Sequence, residues 1–558
     1  MKMSGAEIII KLLERQGINI VAGIPGGANL PLYDALGQSD AIRHILTRHE
    51  QGAGFIAQGM ARVTGKPAVF FATSGPGATN TLTAIADAKL DSIPIICITG
   101  QVPLSMIGTD AFQEVDTYGL SVPITKHNFL VRSAEELLEV IPAAFRIASS
   151  GRPGPVVVDV PKDVQMAMLE FDVWPETGER GTTDELIPAE VRRAADMINL
   201  AERPVLYLGG GVIQSDSATE ALTLAEKAGI PSAMTLMGLG VIPTDNPLCL
   251  GMLGMHAARY TNLALEECDL LVAVGVRFDD RATGKVPEFC PNAKILHMDI
   301  DPSELDKIKT STASVTGDIS DILTALIPLV ENKGREAWKK RVQALKDTHP
   351  MLIPHAEDPT SAYGVVLKAA ELAGEKAIVC TDVGQHQMRT AQVYPFRHPR
   401  QWLTSGGLGT MGFGMPASIG AALAAPDRPV ICFSGDGSIM MNIQDLATAM
   451  EYNIPIKIIL TNNNALGLVR QQQDLFYGKR YFASDYSRKV DFIKIAEGFG
   501  LNTHDLGTSS DPAKTLSEAL AEPGPSLIHV PLSPDDPVYP MVPPGAANSE
   551  MIGGEKNV

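Results

Sequence analysis

The sequence repeatedly alternates short, uninterrupted apolar runs with segments of helical periodicity. The runs lack the polar–apolar alternation of a sheet with one solvated face, so they predict strands buried on both faces of a parallel sheet. Strands separated by helices predict repeated βαβ units and therefore an α/β fold. The runs are 68–72, 93–98, 155–160, 204–208, 270–274, 294–298, 377–380, 429–433 and 456–460.

Two polar segments, 169–186 and 331–359, divide this pattern into three parts. A chain of 558 residues is long enough for three or four domains at about 150 residues each. We therefore predict three α/β domains with mostly parallel sheets, at residues 1–168, 187–330 and 360–558. Such sheets bind ligands beyond the carboxyl ends of their strands, so the loops that follow the strands are the first places to look for a site.

Composition and charge exclude several classes of partner. The chain has 46 basic and 64 acidic residues, a net charge of −18, which argues against nucleic acid or an anionic membrane as partner. Its six cysteines form no C-x-x-C pair, as expected of reduced thiols in a cytoplasmic protein. The longest uncharged stretch, 401–426, holds six glycines and two prolines, so we expect a buried loop and a helix there, not a membrane span.

Polar residues follow two successive apolar runs of the third predicted domain. One run is followed by SGDGS (434–438) and the next by TNNN (461–464). If the strands are neighbours, Asp436 and Asn463 converge, and their oxygens suit Mg²⁺, which also binds phosphate oxygens. The glycines beside Asp436 would let a phosphate approach the backbone. GDG alone is equally well an ordinary turn, but with the second loop it resembles the diphosphate–magnesium motif of thiamine-diphosphate enzymes.

A glycine motif upstream, GLGTMG (407–412), matches the G-x-G-x-x-G pattern of dinucleotide-binding loops. Such a loop should follow a strand and have an acidic residue about twenty positions later at another strand end. Asp427 is roughly in range but lies in the turn APDRP. An NAD-linked dehydrogenase is therefore the less favoured interpretation.

Glu50 opens a helical stretch of the first domain after a strand-like run. The helix dipole alone favours an acid at such a position, which is the simplest explanation. Two further strand-end loops, GIPGG (23–27) and SGPGATN (74–80), could line the same crevice. Thiamine diphosphate needs a glutamate of this kind, because a carboxyl bonded to its aminopyrimidine ring promotes loss of the proton at the thiazolium C2.

A series of motifs in chain order then carries a resemblance to a family. They are GIPGG, RHEQGAGFIAQGMAR, SGPGATN, GTDAFQEVD, ITKHNFLV, RPGPVVVDVPKD, TDVGQHQM, QWLTSGGLGTMGFGMP, GDGS and NN, between residues 23 and 463. Together they resemble the large catalytic subunit of acetohydroxyacid (acetolactate) synthases, in the bacterial isozyme I form. The resemblance implies decarboxylation of pyruvate on thiamine diphosphate and ligation to pyruvate or 2-ketobutyrate. The products, 2-acetolactate and 2-aceto-2-hydroxybutyrate, feed valine, leucine and isoleucine synthesis.

The resemblance also implies residues for thiamine diphosphate, Mg²⁺ and substrate. Glu50 is expected to activate the cofactor, and Met411 to bend it. Further cofactor contacts are expected from Gly26, Val383, Gly384, Gln385, His386, Gly409, Gly437 and Ser438. The expected metal ligands are Asp436, Asn463 and the carbonyl of Ala465, and the expected residues of the substrate approach are Phe112, Gln113 and Lys126, although Lys126 could equally be a surface charge.

The resemblance implies FAD in the middle domain, in a largely structural role. Gly209-Gly210-Gly211 follows the run 204–208, as a phosphate-approach loop should. The residues implied for FAD are Arg152, Gly209, Gly210, Gly211, Thr235, Leu236, Met237, Leu253, Gly254, Met255, His256, Gly275, Arg277, Asp279, Arg281, Asp299, Ile300, Asp318 and Ile319.

One departure from the family pattern concerns the second substrate. The family commonly has Trp in the run GMVRQWQ, where this chain has Gln472, with Leu468 one turn earlier. That Trp favours 2-ketobutyrate, and one methylene in an apolar pocket changes binding by only about 1–3 kcal/mol, so we expect weak discrimination here.

The resemblance implies at least a homodimer and a separate small regulatory subunit. Other thiamine-diphosphate enzymes are the nearest rivals, namely a pyruvate oxidase, which would cycle its flavin, and a glyoxylate carboligase, which lacks the activating glutamate. A non-catalytic paralogue would be expected to lose Glu50, Asp436 or Asn463, and all three are present.

Overall fold

The computed structural model describes residues 1–181 and 185–554. These residues form three six-stranded parallel sheets and one antiparallel pair of short strands, which confirms the predicted α/β fold class. Residues 182–184, within the predicted linker 169–186, and 555–558, at the end of the predicted third domain, lie outside the described residues. The domain limits stay a prediction.

The first sheet has the strand order β3-β2-β4-β5-β7-β6, and β1 pairs with β8. Apolar side chains from both faces of this sheet are buried, as the continuous apolar runs require. The elements are β1 (Lys2–Ser4), α1 (Gly5–Arg15), β2 (Ile20–Gly23), α2 (Leu30–Leu36), β3 (Arg43–Leu46), α3 (Glu50–Thr64), β4 (Ala68–Ala72), α4 (Pro76–Thr79), α5 (Leu82–Asp91), β5 (Ile95–Gln101), α6 (Thr117–Ser121), β6 (His127–Leu130), α7 (Leu137–Ser149), β7 (Val156–Pro161), α8 (Lys162–Met166) and β8 (Met168–Glu170).

The central sheet has the order β11-β10-β9-β12-β13-β14. All its strands are parallel, and successive strands are added on one side of β9 up to β11 and then on its other side from β12. Its elements are α9 (Pro188–Leu200), β9 (Pro204–Leu208), α10 (Gly210–Gln214), α11 (Ala218–Ala228), β10 (Ser232–Met234), β11 (Cys249–Met252), α12 (Arg259–Glu267), β12 (Leu270–Val274), α13 (Asp280–Thr283), β13 (Lys294–Asp299), β14 (Ala313–Thr316), α14 (Ile319–Leu326) and α15 (Glu336–Thr348). Helix α15 falls in the predicted linker 331–359, yet its Trp338, Val342 and Leu345 are buried in the core of this sheet.

The third sheet has the order β16-β15-β17-β18-β20-β19. Its elements are α16 (Gly364–Ala373), β15 (Ile378–Thr381), α17 (Gln385–Val393), β16 (Trp402–Leu403), α18 (Gly414–Ala424), β17 (Val430–Gly435), α19 (Asp436–Ile439), α20 (Leu446–Glu451), β18 (Ile456–Asn462), α21 (Gly467–Phe476), α22 (Phe492–Phe499), β19 (Asn502–Asp505), α23 (Pro512–Ala521) and β20 (Ser526–Pro531).

Helices α3 and α18 join the first and third sheets at backbone contact. A Cβ at Gly59 would lie 2.1 Å from the carbonyl oxygen of Ala417, and a Cβ at Gly420 would lie 2.0 Å from that of Ile56. Real side chains do not approach a carbonyl so closely, so both positions require glycine. The contact fixes the helix that begins at Glu50 against the third sheet.

The helices within residues 1–181 and 185–554 include none that is long and apolar enough to cross a bilayer. The six cysteines are buried and carry free thiols.

Candidate active site

Glu50 is the first residue of α3, beyond the carboxyl end of β3. Its Oε2 accepts a hydrogen bond of 2.9 Å from Nδ2 of Asn80, which belongs to the loop after β4. A Cβ at Gly77 of that loop would lie 3.5 Å from the Glu50 Oε1. The glutamate is therefore held at one oxygen and faces a glycine that leaves space beside the other.

The neighbouring loops of the first sheet converge on the space beside Glu50, which is called the first crevice. A Cβ at Gly26, after β2, would lie 2.5 Å from the Thr73 side chain, after β4. A Cβ at Gly75 would lie 2.8 Å from the Gln113 Cβ, after β5. Gln113 has φ +58°, a region that side chains rarely adopt, and Phe112 beside it is 88% exposed. The strand-end rule thus brings Gly26, Glu50 and Gln113 together.

The other crevice lies beyond the third sheet, where β17 and β18 end side by side, and is called the third crevice after that sheet. Asp436 is buried, its Oδ1 accepts the Gly437 N–H at 3.0 Å, and its Oδ2 has no hydrogen-bond partner among the residues that the structure describes. Asn463 Oδ1 accepts the Ala465 N–H at 3.1 Å, and its Nδ2 donates to Gln385 Oε1 at 3.2 Å. Burial raises the pKa of Asp436 to about 6, against the lowering effect of neighbouring N–H groups.

Asp436 and Asn463 supply one carboxylate and one amide, which are hard oxygen donors. Among the described residues no group of three or more His, Cys, Asp or Glu side chains could hold a metal. A cation here would therefore keep open positions for a carbonyl, water or phosphate. The unpaired buried Oδ2 of Asp436 fits this donor set.

Gly437 leaves a space between three larger side chains. A Cβ there would lie 2.7 Å from the Tyr486 Oη, 2.8 Å from Leu466 and 3.4 Å from the Met411 Cε. Ser438 Oγ donates to the Val383 carbonyl at 2.7 Å, which links the loop after β17 to the loop after β15. The third-sheet residues predicted for the cofactor therefore form one connected group.

His386 completes that group from the start of α17. A Cβ at Gly435 would lie 2.9 Å from its ring, and its buried Nε2 has no hydrogen-bond partner within the described chain. Burial lowers the pKa of His386 to about 3, so its ring is neutral at physiological pH.

The Lys126 side chain is hydrogen-bonded to the end of α7. Its Nζ donates to the carbonyls of Ile147 and Ser150 at the end of α7. Burial lowers the pKa of Lys126 to about 8, with Lys89 and Arg180 adding repulsion. A lysine that satisfies the last carbonyls of a helix has a structural reason to be there. Its role in the substrate approach stays a prediction.

A cavity of about 640 Å³ lies between the central and third sheets and also touches the first. All residues predicted for FAD line it except Gly209 and Gly254, which pack directly behind the wall. Gly409, Leu468 and Gln472 line the same cavity from the third part of the chain. The cavity therefore brings together residues that are more than 300 positions apart in sequence, such as Arg152 and Gln472.

The cavity opens at the switch point of the central sheet, where β9 and β12 end side by side. Gly211 after β9 donates its N–H to the Gly275 carbonyl after β12 at 3.1 Å, and a Cβ at Gly211 would lie 2.6 Å from the Gly275 Cα. A doubly wound sheet with this order binds dinucleotides at this point. The glycines and the space fit a dinucleotide such as FAD.

Charged side chains surround the cavity. Arg152 donates to Glu304 at 2.6 Å and to Asp301 at 3.2 Å. Asp318 caps α14 and bonds to Arg180. Burial raises the pKa of Asp299, at the end of β13, to about 6.

Asp382, a residue for which the sequence motifs predicted no role, is fully buried after β15. It accepts the N–H groups of Gly412 and Gly414 at 2.9 and 2.8 Å and the Ser434 hydroxyl at 2.5 Å. It therefore ties three segments of the third crevice together. The signal that identified Asp436, an acid directly after an apolar run, also applies to Asp382.

The two crevices share no hydrogen bond within the described part of the chain. In residues 1–181 and 185–554 no hydrogen bond connects Glu50, Gly26 or Gln113 with Asp436 or Asn463.

Comparison with known proteins covers all three parts. Residues 3–120 match the N-terminal TPP binding domain of thiamine pyrophosphate enzymes, 191–326 their central domain and 382–530 their C-terminal TPP binding domain. The acetolactate synthase isozyme 1 large subunit of Escherichia coli (strain K12) is 61% identical over 552 residues, 99% of this chain and 98% of that protein. The isozyme 2 large subunit of the same organism is 45% identical over 550 residues, 99% of each chain. A probable acetolactate synthase large subunit of Methanocaldococcus jannaschii is 45% identical over 565 residues, 99% of this chain and 95% of that protein. With this similarity along its length, the chain belongs to the family of acetolactate synthase large subunits, built from thiamine pyrophosphate enzyme domains.

Proposed function

We propose that the chain decarboxylates pyruvate on thiamine diphosphate and ligates the two-carbon unit to a second 2-ketoacid, pyruvate or 2-ketobutyrate. The observation that carries this proposal is the pair of crevices, one with Glu50 and one with Asp436 and Asn463. Thiamine diphosphate supplies the electron sink for decarboxylation. The products would be 2-acetolactate and 2-aceto-2-hydroxybutyrate, for branched-chain amino-acid synthesis in the cytoplasm.

In this proposal the third crevice binds the diphosphate through Mg²⁺. Asp436 and Asn463 would ligate the metal together with the Ala465 carbonyl. Gly437 and Ser438 would let the diphosphate approach the backbone, as glycines and helix starts do. Val383 to His386, Gly409 and Met411 would hold the rings.

Glu50 would hold and return a proton at the aminopyrimidine ring. Its hydrogen bond from Asn80 leaves Oε1 free on the side of Gly77. Gln113 and Phe112 lie on the loop beside it and would meet the substrate.

The resemblance to the family implies that a complete site combines two chains. Exposed apolar side chains accompany both crevices, with Phe112 88% exposed on the first and Phe482 84% exposed on the third. Burial of these two side chains between chains would remove apolar surface from water. We therefore propose a homodimer in which each site combines the first crevice of one chain with the third crevice of its partner.

FAD would occupy the cavity at the switch point of the central sheet, with Leu468 and Gln472 at its third-domain side. Gln472 presents a polar amide where the family commonly has Trp, so acceptor discrimination would be weak. The relatives are named large subunits, and we propose a separate small subunit that modulates activity.

The test is a pyruvate-only assay for acetolactate with the purified chain, omitting thiamine diphosphate, Mg²⁺ and FAD one at a time. Product is expected only when thiamine diphosphate and Mg²⁺ are present, with FAD stabilising the active form. No carbon–carbon ligation with all three cofactors would refute the proposal. Stoichiometric bleaching of the flavin by pyruvate would indicate an oxidase instead.

A further inference from the structure

A buried cluster of charged residues in the first domain lies against the glycine loop of the third. Arg62 on α3 and Asp87 and Asp91 on α5 have side chains that are at most 5% exposed. The Arg62 guanidinium donates to Asp91 at 2.7 Å, lies 3.6 Å from Asp87 and covers the Phe413 ring at 4.9 Å. One guanidinium thus faces two carboxylates, which leaves acceptor capacity for other donors.

Those donors come from loop 405–410. Asp91 Oδ2 accepts the Gly406 N–H at 3.0 Å, and its Oδ1 accepts the Gly407 N–H at 2.7 Å. Asp87 Oδ2 accepts the hydroxyls at both ends of the loop, at 2.5 and 2.6 Å. Hydrogen bonds to an ionised acceptor are roughly twice as strong as neutral ones. Two carboxylates therefore hold this loop along its whole length.

The loop separates the two places proposed for cofactors. Its residues line the cavity of the central domain, and a Cβ at Gly406 would lie 2.4 Å from the Met237 Sδ of that domain. The loop continues into Met411, whose Cε would lie 3.4 Å from a Cβ at Gly437 in the diphosphate crevice. All three domains therefore meet at this loop.

The geometry also explains the first glycine of the GLGTMG motif. A Cβ at Gly407 would lie 2.8 Å from the Leu90 Cβ, so only glycine lets the backbone N–H reach Asp91. Gly407 of this motif, which resembles a dinucleotide-binding loop, here allows the backbone to approach the carboxylates of Asp87 and Asp91.

We propose that Asp87 and Asp91 are positioning residues for both cofactors, through the loop that they hold. The inference rests on the proposed FAD and thiamine diphosphate sites. It predicts that loosening the loop weakens both cofactors together. Asp91 lines the cavity itself, whereas Asp87 contacts the cavity wall through the hydroxyl of Ser405.

The test uses Thr410→Val, which removes the hydroxyl bond to Asp87, and Ser405→Ala, which removes a bond to Asp87 and also the acceptor of the Thr410 N–H at 2.8 Å on the cavity wall. Both variants leave the Arg62 ion pairs in place. FAD is titrated by flavin fluorescence and thiamine diphosphate with Mg²⁺ by circular dichroism, on the whole protein stripped of cofactor. Each dissociation constant should rise about tenfold, the loss expected for one hydrogen bond to a charged group. The KM for thiamine diphosphate should rise more than kcat falls.

The matched control is Ser418→Ala. The Ser418 hydroxyl is equally buried but donates to the carbonyls of Gly414 and Met415 inside α18, away from loop 405–410, and both constants should stay within about twofold. Asp91→Asn should give a larger effect; if it does not fold, the two hydroxyl variants decide.

Unchanged dissociation constants in folded Thr410→Val and Ser405→Ala, with only a lower unfolding temperature, would overturn the inference, because the cluster would then merely join two domains. A wild-type chain that binds no FAD would refute the proposed flavin site instead. In that case the thiamine diphosphate titration alone decides the inference: a raised constant supports it and an unchanged one overturns it.

Discussion

The first and third sheets have the same topology but different chemistry at their strand ends. Numbered in chain order within each sheet, both run second, first, third, fourth, sixth, fifth. In the first sheet the acid, Glu50, follows the second strand, and in the third sheet the acid, Asp436, follows the third. Glu50 accepts a hydrogen bond from the Asn80 amide, whereas the buried Asp436 Oδ2 has no hydrogen-bond partner within the described chain. One scaffold therefore presents either a hydrogen-bonded acid suited to proton transfer or an unpaired acid suited to a cation.

The largest effect is expected from removing the cation ligand. Asp436→Ala should abolish binding of thiamine diphosphate with Mg²⁺ and lower turnover by about 10³ or more, because the diphosphate loses its metal bridge. Circular dichroism of the bound cofactor measures the loss of binding. Asp427→Ala, at an exposed turn, is the control and should bind normally. Full cofactor binding by Asp436→Ala would remove the distinction between the two crevices.

Glu50→Gln should leave cofactor binding intact and slow proton exchange at C2. The amide keeps the size and the hydrogen bonding of the carboxyl but cannot exchange a proton, and general acid–base groups contribute about 10²–10⁴ in rate. Exchange followed by NMR measures this step. An exchange rate equal to that of the wild type would refute the role.

Mixing the two inactive variants should restore activity. If each site takes Glu50 from one chain and Asp436 from its partner, half of randomly assembled dimers are mixed and hold one intact site, about a quarter of all sites. Activity after co-refolding or co-expression measures it. No recovery in dimers verified as mixed would mean that one chain supplies both crevices.

A smaller effect is expected on the preference between the two acceptor ketoacids, at Gln472 on the wall of the cavity. Gln472→Trp should raise the ratio of acetohydroxybutyrate to acetolactate by about 10- to 100-fold at equal ketoacid concentrations, because an apolar face would contact the extra methylene. Gln473→Trp, on the next residue of α21, is the control, since Gln473 bonds to the Phe482 carbonyl outside the cavity. A flat ratio would place the acceptor pocket elsewhere.

The smallest effect concerns the carboxylate buried behind each crevice. Asp382 accepts three donors, whereas Asp159 behind the first crevice accepts only the Thr99 hydroxyl and the Gln101 amide, and burial raises its pKa to about 7. Between about pH 4 and 7 the native state therefore binds one more proton than the unfolded chain. The free energy of unfolding should fall as pH rises, by up to about 1.4 kcal/mol per pH unit.

Asp159→Asn should flatten that slope, because Asn can donate to Thr99 and accept from Gln101 without titrating. Denaturant unfolding from pH 4 to 8 measures the difference from the wild type. Asp427→Asn should keep the wild-type slope. A slope unchanged by Asp159→Asn would show that other groups carry the dependence.

Much of the fold could be predicted because central strands are apolar on both faces. The runs 204–208 and 270–274 are the strands β9 and β12. Strand β19 (Asn502–Asp505) was missed because it lies at a sheet edge and is polar. The run 93–98 begins two residues before β5 and ends three before its end, because Thr99 and Gln101 are polar yet buried by their bonds to Asp159.

The candidate site was predictable where chemistry follows a strand directly. Strands β17 and β18 are neighbours, which places Asp436 and Asn463 beyond adjacent strand ends. The bonds from Asp91 to Gly406 and Gly407 join residues 315 and 316 positions apart, and no local pattern marks such a pair. The predicted role of Lys126 rests on its motif alone. Its hydrogen bonds in the structure are with carbonyls at the end of α7.

The backbone contact of α3 with α18 has a mechanical consequence. Because Gly59 lies against the Ala417 carbonyl and Gly420 against that of Ile56, neither helix can slide or roll without a clash. We expect the first and third domains to move as one rigid body, so that any hinge motion of the chain occurs between that body and the central domain. Such motion would change the contact between Gly406 and Met237 in the cavity wall.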